Sequence, residues 1–311
     1  MINISKSITA VLLTLSLFGC SAKQNLDTPA RGTITIAADE SFKPLVDQLT
    51  SAYMGLYPDA HFNIVYKPEQ EAIATMLRDS ARLVFTAREL TQQERAVLDQ
   101  RKIEGKTERI ATDGVALIVS KANGDSLISV SEVQGLFTGR ITQWSQMAGS
   151  RQSGPVTLVF DNNNSSNLSY MLKRFNITDV SKLRIFTVKS NREVVEYVRT
   201  NPSAIGFIGV NWISDGDEPL SAELSKDLRV MGISEKLNPT SRQDYFQPFQ
   251  KDLGLENYPF RRGVYIVSRE AHPGLGGGLI NYVSRDAGTL IIEKLGLWPA
   301  IPYNREVYLE R

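Results

Sequence analysis

The sequence predicts an α/β fold with mostly parallel sheets. From residue 32 to residue 303, short apolar runs with the character of strands alternate with longer segments whose apolar residues recur at helical spacing. Polar residues that favour turns and helix caps separate these runs, and this alternation is typical of βαβ units. The chain has 311 residues and is 42% hydrophobic, which is sufficient for two domains with separate cores.

The first twenty residues have the pattern of a lipoprotein signal peptide. Lys6 precedes an apolar run, residues 8–18, that is too short to span a bilayer permanently, and Cys20 follows it. Residues 17–20 resemble the bacterial lipobox, in which the cysteine is lipidated and becomes the mature N-terminus. We therefore expect residues 1–20 to be a signal peptide, Cys20 the lipidation site and residues 21–31 a polar tether. The alternative is a plain signal peptide with an incidental cysteine.

The first strand and helix form a unit that recurs later in the chain. Residues 32–38 alternate as a strand, and a helical pattern begins near Phe42 and continues to Leu56. Ser41 is a favourable N-cap for this helix, and Pro44 is tolerated because it falls in the first turn.

The second unit contains a strand that ends at residue 160, a polar loop at residues 161–167 and a helix that begins near Leu168. Ser165, Ser166 and Asn167 stand where this helix begins, and such side chains accept hydrogen bonds from first-turn N–H groups. Where no side chain accepts hydrogen bonds from them, the same N–H groups form an anion site at the positive end of the helix dipole. The two units therefore predict two sides of an anion site, and the alternative is a pair of ordinary capped helices.

The remaining elements follow the same alternation. Capping boxes at Thr91 with Glu94 and at Ser129 with Glu132 each open a helix. The other predicted strands lie at residues 61–66, 83–85, 108–120, 183–188, 203–210, 228–233 and 263–267. The other predicted helices lie at residues 71–78, 192–199 and 279–295, the last after a glycine-rich turn at 273–278 and ending at the C-cap Gly296.

Two polar residues follow the short buried strand at 83–85. The hydroxyl of Thr86 and the planar guanidinium of Arg88 both suit an oxyanion. The alternative for Arg88 is a surface arginine paired with Glu89.

Composition excludes several classes of function. Lysine and arginine (35) nearly cancel aspartate and glutamate (34), which argues against a basic nucleic-acid-binding surface. Two histidines and one cysteine exclude a zinc cage and a disulfide framework. The glycines match no nucleotide-binding motif, and no serine or cysteine motif places a histidine beside a nucleophile. We therefore expect no cofactor, no metal and no catalytic residue, and we predict that the protein is not an enzyme.

Several blocks together resemble the PstS-like phosphate-binding proteins of bacterial ABC importers. The most specific are FTGRITQW at residues 137–144 and EKLGLWPA at residues 293–300, and the match covers most of residues 32–303. Each block alone is weak, and their order and spacing give the resemblance its strength. The other blocks are residues 39–42, 86–88, 113–114, 165–167, 204–207 and 258–262.

The resemblance implies a two-lobed periplasmic-binding-protein-like fold of type II, in which each lobe is a mixed, mostly parallel sheet flanked by helices. Residues 32–120 and 245–311 would build lobe 1, and residues 121–244 would build lobe 2. Hydroxyl and N–H groups at helix starts would hold the ligand as the lobes close. With Arg88 included, the predicted ligand-binding residues are Ser41, Phe42, Thr86, Arg88, Asp113, Ser165, Ser166 and Asn167.

The implied function is that of a lipid-anchored, monomeric solute-binding protein in the bacterial cell envelope, on the extracytoplasmic side. It would capture inorganic phosphate or a related oxyanion between its lobes and deliver it to the membrane permease of an ABC transporter. One alternative is that the same fold binds another small anion, and a second is a sensor or surface protein without transport. A phosphoesterase is a third, and it lacks a base histidine and a metal cluster.

One position departs from the family. The central loop of the family carries an arginine where this chain has Asp161, and its Ser-Gly-Thr is Ser165, Ser166 and Asn167 here. In one interpretation Asp161 turns outward and Arg88 supplies the cation; in the other the pocket has changed its ligand. A carboxylate can accept the proton that hydrogen phosphate keeps and sulfate lacks. The candidates for this acceptor are Asp39, Glu40, Asp113 and Asp161.

Overall fold

The computed structural model describes residues 27–181, 183–214, 222 and 226–302. The predicted signal peptide with Cys20, and residues 21–26 of the predicted tether, lie outside the described residues. The remaining part of the predicted tether is not a free linker, because the Asp27 carboxylate accepts hydrogen bonds from the Leu275 backbone N–H (2.6 Å) and from Arg82 (2.6 Å). Among the described residues, no helix has both the length and the apolar character needed to cross a bilayer.

The described strands form one ten-stranded sheet and one two-stranded sheet. They are β1 (Gly32–Asp39), β2 (Ala60–Lys67), β3 (Leu83–Thr86), β4 (Lys106–Ser120), β5 (Leu127–Ser129), β6 (Thr157–Phe160), β7 (Ile185–Thr187), β8 (Ala204–Gly209), β9 (Leu228–Val230), β10 (Gly232–Ser234), β11 (Arg261–Ser268) and β12 (Trp298–Pro299). The order in the large sheet is β2-β1-β3-β11-β4-β8-β6-β7, with β9 and β12 also paired to β4, and β5 pairs with β10 in the small sheet.

Helices cover the sheets and supply the rest of the core. They are α1 (Lys43–Leu56), α2 (Glu69–Leu77), α3 (Gln92–Gln100), α4 (Val130–Phe137), α5 (Ser166–Arg174), α6 (Asn191–Thr200), α7 (Gln250–Gly254), α8 (Leu275–Val283) and α9 (Asp286–Lys294). Both predicted capping boxes are confirmed, at the starts of α3 and α4. A short 3-10 turn, Glu40–Phe42, precedes α1.

Strand β4 runs through both halves of the large sheet. It is 15 residues long, and its residues from Ile110 onward are buried, which agrees with the apolar run predicted there. As far as Gly114 it pairs with β11, and from Val115 it pairs with β8. One strand therefore connects the β1–β3 half with the β6–β8 half.

The strand pairing confirms a mixed α/β fold. The flanking strands are parallel, since β1 pairs in parallel with β2 and β3, and β6 with β7 and β8. The centre is antiparallel, because β11 opposes both β3 and β4, and β4 opposes β8. Antiparallel neighbours need no crossover helix, so β11 can enter the sheet from a distant part of the chain.

The predicted final helix, residues 279–295, is two helices, and most of its predicted glycine-rich turn is helical. The chain is extended at Arg285 (φ −118°, ψ 176°), which ends α8 and caps α9. A β-carbon at Gly278 would lie 2.4 Å from the Tyr53 hydroxyl, so this glycine permits close packing inside a helix. The predicted C-cap is displaced by one residue, because the C-cap of α9 is Leu295 and Gly296 follows it with a φ of +74°.

Candidate ligand-binding site

The first side of the site is the turn between β1 and α1. Ser41 is buried, and its hydroxyl donates to Asp39 Oδ2 at 2.7 Å. Asp39 Oδ1 also accepts the Ser41 backbone N–H at 3.3 Å. A carboxylate from the end of β1 therefore caps this helix start.

The second side is the turn between β6 and α5. Ser165 is the N-cap of α5, as predicted, and its hydroxyl accepts from the backbone N–H groups of Asn167 (3.1 Å) and Leu168 (3.5 Å). The same hydroxyl donates to Asp161 Oδ1. The amides expected to be open to an anion are thus capped by a side chain of the loop itself.

The two sides meet through Ser41 and Ser166. Their hydroxyl oxygens are 2.7 Å apart, although the residues are 125 positions apart in the chain. Both side chains are buried, and Arg262 Nη1 donates to Ser166 Oγ at 2.9 Å. Three distant elements, the starts of α1 and α5 and the strand β11, therefore bring polar hydrogens to one point.

The interpretation of residues alone did not select Arg262 as a site residue. It faces Asp113 directly across the β4–β11 ladder, and its Nε donates to Asp113 Oδ2 at 2.9 Å. Asp113 Oδ1 accepts the Val210 backbone N–H at 3.2 Å, and the Arg262 guanidinium lies 5.0 Å from the centre of the Phe42 ring. The signal in the sequence was an arginine that opens a buried strand, where a charged side chain needs a partner.

Asp161 is buried, at 1% exposure, and of the two interpretations the one in which it turns outward is wrong. Its second oxygen accepts from Asn162 Nδ2 at 2.7 Å. Burial raises the pKa of Asp161 to about 6, and the Asp39 charge acts in the same direction. The family's cationic position is therefore an inward-facing carboxyl group here.

Arg88 and Thr86 are engaged near the end of β3. The Arg88 guanidinium makes two hydrogen bonds to Glu94, at 2.8 and 2.9 Å, and its Nε lies 3.3 Å from Glu69. The pairing with Glu89 that the sequence offered is not made by its carboxylate, which contacts Arg95 instead. The buried Thr86 hydroxyl donates to the Arg88 carbonyl. The guanidinium that contacts Ser166 is that of Arg262, and a ligand contact of Arg88 or Thr86 stays a prediction.

Asparagine side chains connect the two halves around the serines. Asn191, at the start of α6, donates from its backbone N–H to Glu40 Oε2 at 3.2 Å and also from its side chain. Asn167 Nδ2 donates to Asn191 Oδ1 at 3.2 Å. Asn211 and Trp212 both donate to the Ser41 carbonyl at 3.0 Å. Asn191, Asn211 and Trp212 were not predicted as site residues. For Asn191 the reason is that an asparagine at a helix start is ordinarily a cap.

The pKa values of two further carboxyl groups around this cluster, those of Glu40 and Glu69, are raised. Burial raises the pKa of Glu40 to about 8, and the charges of Asp161 and Asp39 add to the shift. Burial likewise raises the pKa of Glu69 to about 7, again with the Asp39 charge acting in the same direction. The site therefore combines serine hydroxyls and Arg262 with a larger number of carboxyl groups, of which Glu69 also contacts Arg88.

This arrangement is suited to binding. The hydroxyl oxygens of Ser41 and Ser166 are in contact, so a molecule held between them would have to separate the two side chains. The described residues contain no group of three or more histidine, cysteine, aspartate or glutamate side chains arranged to hold a metal ion. The polar atoms offer hydrogen bonds to a small, oxygen-rich solute.

The family model and the similar proteins of known function all belong to solute-binding or phosphate-binding proteins. A family model described as a PBP superfamily domain matches residues 23–287. The phosphate-binding protein PstS of Bacillus subtilis is 23% identical, over 90% of this chain and 87% of that protein. PstS of Borreliella burgdorferi is 20% identical, over 92% of this chain and 95% of that protein.

Solved structures share the fold. A Clostridium perfringens protein, assigned as a phosphate ABC transporter substrate-binding protein and solved with bound phosphate, superposes with a TM-score of 0.72 at 17% identity, covering 87% of this chain and all 100% of that one. An ABC-type phosphate transport receptor from Vibrio cholerae has a TM-score of 0.60 at 19% identity, covering 85% of this chain and 99% of that one. The family model matches far more than half of the sequence, and the chain therefore belongs to the PBP superfamily.

Proposed function

We propose that the protein captures phosphate, or a related oxyanion, between its two halves and delivers it to the permease of an ABC transporter. Ser41, Ser166 and Arg262 would bind the ligand oxygens. The observation that carries this proposal is the 2.7 Å contact between the Ser41 and Ser166 hydroxyls, with Arg262 at 2.9 Å from Ser166. Donors from three separate elements converge there, as capture by closure requires.

The proposal includes the mechanical units expected from the sequence. Residues 32–120 with 245–311 would form lobe 1, and residues 121–244 lobe 2. Residues 115–120 pair with β8 and β9, so this end of β4 would move with lobe 2. Contacts such as Glu40 with Asn191 and Ser41 with Asn211 would form as the lobes close. Ligand binding would stabilise the closed arrangement only as far as it favours that arrangement over the open one.

The proposal also includes the setting of the protein. It would be a monomer on the extracytoplasmic side of a bacterial membrane, held by a lipid on Cys20, with the permease as its protein partner. Support comes from the signal-like pattern of residues 1–20 and from the similarity to proteins named as phosphate transport receptors. The predicted absence of catalysis belongs to the same proposal.

The test is calorimetric titration of protein freed of ligand by unfolding, dialysis and refolding. We expect heat with phosphate, and a thermal upshift corresponding to about 2.7 kcal/mol at a hundredfold excess over Kd. Ser41→Ala and Ser166→Ala should each weaken binding roughly tenfold to a hundredfold, because each removes a buried donor. Ser51→Ala, an exposed serine on α1, is the matched control and should bind like the unaltered protein. Absence of heat and of upshift with phosphate and related oxyanions would overturn the proposal.

A further inference from the structure

We propose that a second ligand site lies on the opposite face of the large sheet from the Ser41–Ser166 pair, and that it binds a small organic oxyanion with an aromatic ring. Its location is a cavity of about 460 Å³ between β4, β11, β12 and α7, lined by Arg109, Arg261 and Trp298 among others. Cavities of about 300–1,000 Å³ are typical of sites for small organic molecules. The inference goes beyond the proposed function and does not depend on it.

The two faces of β11 serve different sites. Side chains alternate along a strand, so Arg262, which donates to the Ser166 hydroxyl in the candidate site, points away from its neighbours Arg261 and Gly263. Residues directly across an antiparallel ladder share a face, and Thr112 stands opposite both Gly263 on β11 and Trp298 on β12. The cavity therefore lies on the surface that the first site does not use.

A β-bulge brings Arg109 to the same surface. The register shifts between Val264 and Tyr265, because Ile110 on β4 is an extra residue in the ladder. Residues three apart on a regular strand face opposite sides, yet Arg109 Nη2 donates to Thr112 Oγ1 at 2.8 Å. The bulge thus directs the Arg109 guanidinium along β4 into the cavity.

The positive charge of this surface is incompletely matched. Arg109 is exposed, and in the part of the chain that the structure describes no carboxylate forms an ion pair with it. Arg261 is 27% exposed and lies 3.4 Å from Glu256, which is 79% exposed. An ion pair this exposed contributes about 0–1 kcal/mol, so an incoming oxyanion can replace Glu256. Both guanidinium groups can then bind carboxylate or phosphate oxygens with their planar donors.

Trp298 supplies an aromatic surface beside these cations. A β-carbon at Gly254 would lie 2.6 Å from the indole ring, so this glycine lets the ring pack directly against α7 and fixes its position. Trp298 is only partly buried, which leaves part of the indole to a ligand. Stacking of a second ring there contributes about 0.5–1.5 kcal/mol beyond the area it buries. An aromatic oxyanion therefore fits the cavity better than inorganic phosphate, which has no apolar part.

The experiment is an NMR titration of nitrogen-labelled full-length protein with benzoate, phenyl phosphate, benzyl alcohol and cyclohexanecarboxylate. A slight excess of inorganic phosphate is present to occupy the first site. The chain has three tryptophans, and their indole N–H signals separate the two sites. Trp212 donates to the Ser41 carbonyl and reports the first site, whereas Trp298 reports the second.

We expect benzoate and phenyl phosphate to shift the Trp298 signal saturably, with a Kd of about 1 mM or tighter, and to leave the Trp212 signal in place. Benzyl alcohol lacks the negative charge and should bind at least about tenfold more weakly. Cyclohexanecarboxylate keeps the charge but lacks the flat ring, and it should bind about threefold more weakly.

Variants assign the binding to the two arginines. Arg109→Gln and Arg261→Gln should each weaken benzoate binding about tenfold, because each removes a charged donor. Glu256→Gln should tighten it about twofold to fivefold, since it removes the competing carboxylate, and a purely structural role of Glu256 would not have this effect. Arg192→Gln, at an exposed arginine on α6, is the matched control and should change nothing.

Three results would overturn the inference: no Trp298 shift with either aromatic anion, a shift of Trp212 in its place, or equal binding of benzyl alcohol and benzoate. None of them bears on phosphate capture, which calorimetric titration with phosphate tests separately. If an arginine variant fails to fold, Glu256→Gln and the comparison of benzoate with benzyl alcohol on the unaltered protein still decide.

Discussion

Buried carboxylates occupy helix starts in two regions of this molecule, and the regions differ in which groups balance the charge. At α8, Glu270 accepts from the Gly276 and Gly277 backbone N–H groups, and Arg82 lies 2.6 Å from Asp27 and 3.3 Å from Glu270. At α1 and α5, the carboxylates accept mainly from serine hydroxyls, and the nearby arginine is already paired with Asp113.

The pKa values reflect this difference. Burial acts to raise the pKa of Asp27, but hydrogen bonds from Arg82 and from the Leu275 N–H hold it below its usual range. In the candidate site, burial raises the pKa of Asp161 to about 6 and that of Glu40 to about 8. A carboxylate whose charge is matched by an arginine and by backbone N–H groups acts as a helix cap. Carboxylates without a matching cation have raised pKa values instead. Charge balance therefore distinguishes the structural helix start at α8 from the two helix starts of the candidate site.

The largest expected effect comes from removing the arginine in each region. Arg262→Ala leaves the fully buried Asp113 without its partner and should lower the free energy of unfolding by about 3–5 kcal/mol. Arg82 is 31% exposed, so Arg82→Ala should cost only about 1 kcal/mol. Denaturant unfolding measures both, and equal losses would contradict the contrast drawn between the two regions.

The second effect is on the pH dependence of stability. The folded protein holds a proton on Glu40 up to its raised pKa of about 8, while the unfolded chain releases it near the ordinary value of 4.5. Because the folded state binds more protons in this window, the free energy of unfolding should fall as pH rises from about 5 to about 8, by up to about 1.4 kcal/mol per pH unit for this group. Asp27 acts oppositely, since its contribution is lost as pH falls through its lowered pKa.

Glu40→Gln tests the assignment of this pH dependence. The amide is neutral like the protonated carboxyl group, so the variant should match the unaltered protein near pH 5 and exceed its stability near pH 8. Urea unfolding at several pH values is the measurement. An unchanged slope in Glu40→Gln would assign the pH dependence to other groups, of which Glu69 and Asp161 are the first to examine.

A smaller effect concerns the contact between the halves. Asn191→Ala removes the side-chain donor to Glu40 and keeps the backbone N–H donor. It should weaken phosphate binding about tenfold, because in the proposed function this contact forms as the halves close. Asn201→Ala, at the other end of α6, removes a side-chain bond within that segment and serves as the control. Calorimetric titration compares the two, and equal weakening would show that the Glu40 contact has no special role in closure.

The smallest effect is expected at Arg88. Its guanidinium is 31% exposed and engaged by Glu94 and Glu69, so Arg88→Ala should cost about 1 kcal/mol of stability or less and change phosphate affinity less than about threefold. Arg95→Ala, the neighbouring arginine paired with Glu89, is the matched control. A loss of affinity of tenfold or more would instead make Arg88 a ligand contact.

Local features of this fold were predictable because they depend on neighbouring residues. Side-chain and backbone preferences within a few positions specify the N-cap Ser165, the capping boxes at Thr91 and Ser129 and the left-handed Gly296 beyond α9. The break at Arg285 was missed, because the apolar spacing continues through it while the backbone does not.

The assembly of the site was only partly predictable, because it depends on register between distant strands. Arg262 meets Asp113 through a pairing of positions 149 residues apart, on a strand with an irregular register between Val264 and Tyr265. The inward direction of Asp161 was left open by the sequence, although the Ser165 hydroxyl that donates to it lies in the same loop. The family resemblance located both helix starts and did not identify the arginine.

The exchange of partners along β4 has a mechanical consequence. Any rotation of the halves has to flex this strand between Gly114 and Val115, directly after Asp113. The Asp113–Arg262 pair thus lies close to this point and should keep its geometry. Ser41 and Ser166 lie on opposite halves, so a rotation would change the distance between them. Arg262 would then keep its position during closure and contact a bound solute in both arrangements. The distance between Ser41 and Ser166 would change with closure.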